Sequence, residues 1–99
     1  MLNINKEQNA TSLTIIMEGR LDTNTAPDFE KELKNSLDEV TELILDLEKL
    51  DYISSSGLRV LLSAQKIMNK QGNMKLIHVG RSVMEIFELT GFSRILTIE

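Results

Sequence analysis

Ninety-nine residues with 41% hydrophobic content suffice for one compact domain around one modest core, spanning 1–99, and leave no room for a second. A net charge of −4 gives no electrostatic pull toward nucleic acid or an anionic membrane, and the lack of cysteine excludes disulfide staples, thiolate catalysis and Cys-based metal sites. Met1–Lys6 is not a charged stretch leading into an apolar one, and no window approaches a membrane-spanning run, so the expectation is a cytoplasmic protein, a monomer when free, with no nucleic-acid or membrane partner.

Residues 2–8 alternate weakly around Leu2 and Ile4 and predict an edge strand. Asn9–Thr11 is a turn. Residues 12–18 alternate better, with Leu13, Ile15 and Met17 on one face, and predict a second strand antiparallel to the first that stops at Gly19. Arg20–Asn24 is a polar loop. Thr25 is placed to cap a helix, with Asp28 three residues on and Pro27 in the first turn. Phe29, Leu33 and Leu37 form its apolar stripe, and Glu30 and Lys34 its solvent side.

Residues 42–48 carry Leu43, Leu45 and Leu47 on one face and Ile44 on the other, as a central strand does. Strand, helix, strand implies a parallel crossover. A helix is predicted from about Ser55 to Gln71. Its inner stripe is Gly57, Val60, Leu61, Ala64, Ile67 and Met68, within roughly 120° of the wheel. Leu58 and Leu62 fall outside that arc, and Arg59, Lys66 and Lys70 lie on the far side. Gly72 is the expected stop. Met74–Val79 reads as another strand, and Ser82 with Glu85 as the cap of a short helix whose apolar face is Val83, Ile86, Phe87 and Leu89. Gly91 stops that helix, and Ile95, Leu96 and Ile98 make a last strand or an extended tail. The order β-β-α-β-α-β-α-β predicts an α/β domain with a four- to five-stranded mixed sheet and about three helices packed mainly on one face.

Between the central strand and the long helix stand Ser54, Ser55 and Ser56, followed by Gly57. Glycine in the first turn lets the helix backbone approach the sheet closely. A serine here can simply cap the helix, with a contribution of about 1 kcal/mol. It can also be a modification site. A phosphate at a helix N-terminus meets free N–H groups and the positive dipole end, so the fold tolerates it, while a partner docking on the same turn must desolvate the new charge.

Enzyme constellations are weak by comparison. A triad of Ser55, His78 and an Asp is conceivable, yet His78 is the sole histidine, sits in an apolar run, and Ser55 lacks the flanking glycines of a nucleophile elbow. No phosphate-binding glycine loop or zinc-protease helix motif is present. Asp22, Asp46, Glu48 and Asp51 lack the spacing of a calcium loop, so neither a metal nor another cofactor is expected. Four aromatics, Phe29, Tyr52, Phe87 and Phe92, are too few and too scattered for a base-stacking platform.

Glu18–Asp22, Leu45–Leu47 and above all Tyr52–Leu58 carry a resemblance to STAS domains, in particular to the small bacterial anti-sigma factor antagonists. It covers essentially the whole chain. The family's phosphorylated loop reads acid, Ser, Ser or Thr, Gly, Leu, which places the phosphoacceptor on Ser55, ahead of Ser54 and Ser56. This chain has Ser54 where an acid is frequent. The resemblance implies a partner-switching protein with no catalysis of its own. Unphosphorylated, it binds an anti-sigma factor with serine kinase activity and frees a sigma factor; phosphorylation at Ser55 releases it, and a PP2C-type phosphatase restores it. Asp22, Thr23, Ser54, Ser56, Gly57, Leu58, Arg59 and Leu62 are the expected docking residues, with packing against the first helix as the other role for Leu58 and Leu62. Two other functions are open: a STAS subunit or scaffold of a lipid-transport or stress-sensing complex, and a nucleotide-binding module, which the missing phosphate loop disfavours.

Overall fold

Alternating side chains build the sheet. In the computed structural model, which describes all residues Met1–Glu99, β1 (Leu2–Asn9) and β2 (Ser12–Leu21) form an antiparallel hairpin with Leu2 opposite Gly19 and Asn9 opposite Ser12. Next to β2 lies β3 (Glu42–Ile53), and next to β3 lies β4 (Asn73–Ile77), both pairings parallel. The sheet is therefore four-stranded and mixed, in the order β1-β2-β3-β4. Register places Leu13, Leu43 and Met74 side by side, and likewise Ile15, Leu45 and Leu76. All six are buried, whereas Thr14, Ile44 and Lys75 behind them are half-buried. One face thus carries the core and the other stays open.

The helices α1 (Ala26–Ser36), α2 (Ser55–Gln71) and α3 (Arg81–Thr90) supply the covering layer through Phe29 and Leu33, through Leu61, Ala64 and Met68, and through Val83 and Phe87. The expected α/β architecture is present with four strands. The tail adds no fifth: Phe92–Arg94 is a short 3-10 turn, and Ile98 forms one isolated parallel bridge to Leu76.

Several boundaries differ from expectation. β2 continues through Gly19 to Leu21, because glycine there takes the left-handed region (φ 108) and the β2–β3 register shifts around it. β3 likewise runs on past residue 48 to Ile53. β4 stops at Ile77, and His78 takes a left-handed backbone (φ 57) instead of continuing the strand. α3 starts at Arg81 with Gly80 as its cap residue, so Ser82 already has helical backbone and makes no cap with Glu85. Leu89, expected on the inner face of α3, is 87% exposed.

The helix stops are as expected in place. Gly91 ends α3 in a left-handed conformation (φ 82). Gly72 ends α2 for another reason. Its φ is 172, ordinary extended backbone, but a Cβ there would lie 1.9 Å from the Thr41 carbonyl oxygen. That carbonyl accepts the Asn73 N–H (2.9 Å), the bond that brings β4 in beside β3.

The flank of α2 away from α1 holds one energetic flaw. Gln65 is buried; its Nε2 donates to Asn69 Oδ1 (2.9 Å), while its Oε1 has no partner. An unpaired buried carbonyl costs about 1–3 kcal/mol. Gln65→Leu is expected to raise stability by about 1 kcal/mol, seen as a higher urea midpoint at unchanged slope.

Candidate functional site: two helix mouths at the ends of neighbouring strands

β2 and β3 end side by side, and each feeds a helix. Leu21 pairs with Ile53, and the Ser54 N–H donates to the Leu21 carbonyl (2.9 Å). Arg20 pairs with Tyr52, and its guanidinium stacks 4.4 Å above the ring centroid. The β2–α1 loop and the β3–α2 turn are thereby fixed against each other. Gly57 tightens the joint. A Cβ there would lie 2.8 Å from both Ile53 Cγ1 and Leu21 Cγ, so the first turn of α2 rests on the two strand ends as only glycine allows.

At the mouth of α1 the expected cap changes hands. Thr25 has helical backbone (φ −94, ψ −21) and makes no side-chain cap with Asp28. Asp22 does the capping, since its Oδ1 accepts the N–H groups of Asn24 and Thr25 (3.0 Å each) and its carbonyl accepts the Ala26 N–H. In return, Thr25 Oγ1 accepts the Asp22 N–H (2.9 Å) and donates to the Arg20 carbonyl (2.9 Å). This is a reciprocal capping box one turn earlier than the sequence suggested. The Thr25 N–H, with the Asn24 N–H and the Thr25 hydroxyl adding to it, holds the Asp22 carboxyl below its ordinary value of 3.8.

That depression sets a pH dependence. A carboxyl with lowered folded pKa contributes its stability above the ordinary value and loses it as pH falls through the folded value. Asp22→Asn keeps the two accepted bonds without the charge. The stability difference between wild type and Asp22→Asn is expected to be constant above pH 5 and to shrink steadily below 3.8. Glu32, also lowered, by its bond from Lys6, is common to both proteins and cancels in the difference. Parallel acid unfolding curves would refute the assignment.

The mouth of α2 is capped differently. Ser54 is extended (φ −95, ψ 175), and its Oγ accepts the Gly57 N–H (3.2 Å). The N–H groups of Ser55 and Ser56 have no intrahelical acceptor, and the first turn of α2 contains no acidic residue. One mouth therefore holds a carboxylate, and the other holds only a neutral hydroxyl against an uncompensated positive helix end. The three serines are not equivalent. Ser54 is half-buried and occupied as the cap, Ser56 is half-buried, and Ser55 is exposed with no hydrogen bond from its hydroxyl.

Beside the serine turn an open groove runs between α1 and α2, lined by Thr23, Ala26, Pro27, Glu30, Ser56, Arg59, Val60 and Ser63. It brings together Thr23, Ser56 and Arg59 of the expected docking residues, with Asp22 at its end. Leu58 does not join them. It is 5% exposed and belongs to the core. It also lies roughly 200° around the helix from Val60, on the flank opposite α1, so it packs in the core and lines neither the groove nor the α1 side. Leu62, half-buried on that same flank, is likewise away from the groove and from α1. Gly57 is buried and shapes the turn without presenting itself. His78 is not assembled with Ser55: its Nδ1 bonds Asp46 Oδ1, and no hydrogen bond links it to the serine turn.

Sequence reading missed Ala26, Pro27, Glu30, Val60 and Ser63 as groove residues, and the stacking of Arg20 on Tyr52. The Asp22/Thr25 box was readable from its three-residue spacing; the stack was not, since it depends on a register that the Gly19 bulge sets.

Comparison with known proteins fits this arrangement. The family model described as STAS domain matches residues 3–99. A protein of Bordetella bronchiseptica named "Putative anti-sigma factor antagonist BtrV" is 38% identical over 88 residues, covering 87% of this chain and 76% of its own length. The crystal structure of an anti-sigma factor antagonist from Mycobacterium paratuberculosis superposes with a TM-score of 0.89 at 20% identity, covering 99% of this chain and 85% of that one. SpoIIAA, a Bacillus cell fate determinant in its phosphorylated form, gives a TM-score of 0.76 at 18% identity, covering 98% and 91%. With the family model matched over residues 3–99 and a relative 38% identical across most of both chains, the chain belongs to the STAS domain family.

Proposed function

We propose that this STAS domain is an anti-sigma factor antagonist whose partner binding is switched by phosphorylation of Ser55. One observation carries the reading: of three adjacent hydroxyls, only that of Ser55 is exposed and free, and it sits at a helix mouth with no acid in its first turn. Ser54 is spent on the Gly57 N–H. Modifying it would remove the cap, whereas modifying Ser55 leaves every hydrogen bond of the turn in place. A phosphate there meets the free N–H groups of Ser55 and Ser56 and the positive end of α2. The 30% identical anti-sigma-B factor antagonist of Listeria monocytogenes supports the partner class, and the phosphorylated SpoIIAA structure shares this fold.

In this scheme the unmodified turn and the groove of Thr23, Ser56 and Arg59, with the Asp22 loop beside them, dock on an anti-sigma factor that carries serine kinase activity, and a sigma factor is freed. The kinase transfers the γ-phosphoryl group of ATP to Ser55 Oγ, whose proton leaves with the transfer. The complex then separates because a charge of nearly two units must be desolvated against the partner. A PP2C-type phosphatase hydrolyses the ester and restores the hydroxyl. The domain is ligand and substrate throughout, acting in the cytoplasm.

Incubation with the cognate kinase and labelled ATP, followed by peptide mass spectrometry, tests this. All label is expected on Ser55, and Ser55→Ala is expected to remain folded and unlabelled. Label on Ser54 or Ser56 in the wild type would overturn the site.

A further inference from the structure

On the open face of the sheet, away from the helices and the serine turn, three ligand-type side chains converge. Asp46 and Glu48 stand two residues apart on β3 and so share a face. Asp46 pairs with Ile77, the last residue of β4. The next residue, His78, takes the left-handed backbone described above, and its ring lies back against β3. His78 Nδ1 lies 3.0 Å from Asp46 Oδ1 and 3.9 Å from Glu48 Oε1, and the three ligand atoms all fall within 4.8 Å of one another. Asp46 Oδ1 also accepts the Glu48 N–H (3.1 Å), which orients the carboxylate.

We propose that Asp46, Glu48 and His78 form a binding site for a divalent first-row transition-metal ion such as Zn2+. Tetrahedral zinc with nitrogen and oxygen ligands holds neighbouring ligand atoms roughly 3.4 Å apart, and the two measured separations bracket that value. The donor set selects the class of ion. Calcium and magnesium require a shell of about six oxygens, whereas one imidazole and two carboxylates suit zinc and its neighbours and leave a fourth position for water. Two carboxylates balance the dication. Asp46 is the anchored ligand, with 17% of its side chain exposed, while His78 and Glu48, 56% and 70% exposed, give access from solvent. A bound ion would clamp the end of β4 to the middle of β3.

The composition makes the test clean. The chain has one histidine and no cysteine, so any imidazole-dependent binding must use His78. Zn2+ titrated into the full chain at neutral pH in a calorimeter is expected to bind one-to-one with micromolar affinity, and the His78 ring signals should shift in the NMR spectrum with the same stoichiometry. His78→Asn, which tolerates the left-handed backbone, is expected to weaken binding at least about tenfold. Glu48→Gln, at an exposed position whose removal leaves the core untouched, is expected to weaken it as well. No saturable binding up to millimolar Zn2+, or binding unchanged in both variants, would overturn the site.

Discussion

Ser55→Asp is expected to weaken binding to the anti-sigma factor about a hundredfold while leaving the melting midpoint at or slightly above that of wild type. The two halves of this result have separate physical origins. A carboxylate at the first position of α2 meets free N–H groups and a helix end that no acid compensates, a placement worth about 0.3–1 kcal/mol in favour of the folded state. The same charge in the complex must shed its water against the partner, and an uncompensated charge at an interface costs several kcal/mol. Titration calorimetry of Ser55→Asp against Ser55→Ala separates the two. The alanine variant should bind as wild type does and never be released by ATP. Equal affinity of both variants would remove charge as the switch, and a large fall in melting midpoint for Ser55→Asp would show that the turn does not accommodate an anion.

Gly72→Ala is expected to destabilise the domain by about 3 kcal/mol. The new Cβ would sit 1.9 Å from the Thr41 carbonyl oxygen, and that oxygen belongs to backbone that cannot swing aside as a long side chain does. Moving it loosens the Asn73 N–H bond and with it the start of the β3–β4 pairing. Gly91→Ala is the control. Space around Gly91 is open, so only its left-handed backbone resists, at about 1 kcal/mol. Urea denaturation of both variants measures the contrast. Equal losses would mean that steric closure at Thr41 does not hold β4 in place.

Much of this architecture is visible in one dimension because period and burial agree. Leu13, Ile15 and Met17, and Leu43, Leu45 and Leu47, alternate in sequence and are all buried on one face. Gly57 stands out for the same reason, since a glycine inside an otherwise helical stripe asks for close packing, and the strand ends provide it. Misreadings fall where a third dimension intervenes. A helical wheel treats α2 as a rod with one buried face, but α2 is covered on its sheet face and on both flanks, so Leu58 reads as surplus and is core. Gly19 looks like a stop, yet its left-handed backbone carries the strand through a bulge to Leu21, and the pairing of Arg20 with Tyr52 and of Leu21 with Ile53 follows from that shift. Thr25 looks like a cap because it is the hydroxyl nearest the apolar stripe. The loop in fact turns at Asp22, whose carboxylate reaches two N–H groups at once. Among the serines, residue type alone cannot separate a cap from a free hydroxyl; the Ser54–Gly57 bond does.

The tail that failed to become a fifth strand has a consequence for solubility. An exposed sheet edge is a template for pairing with another chain. At the β4 edge, the outward N–H and C=O of Leu76 are both occupied, by Thr97 and Glu99 of the same chain (2.8 and 2.9 Å), within a strand only five residues long. At the opposite edge, β1 presents Asn3, Asn5, Lys6, Glu7, Gln8 and Asn9, with Lys6 tied to Glu32 of α1. One border of the sheet is partly covered by residues 97–99 and the other is polar along most of its length, two features that work against edge-to-edge pairing between molecules.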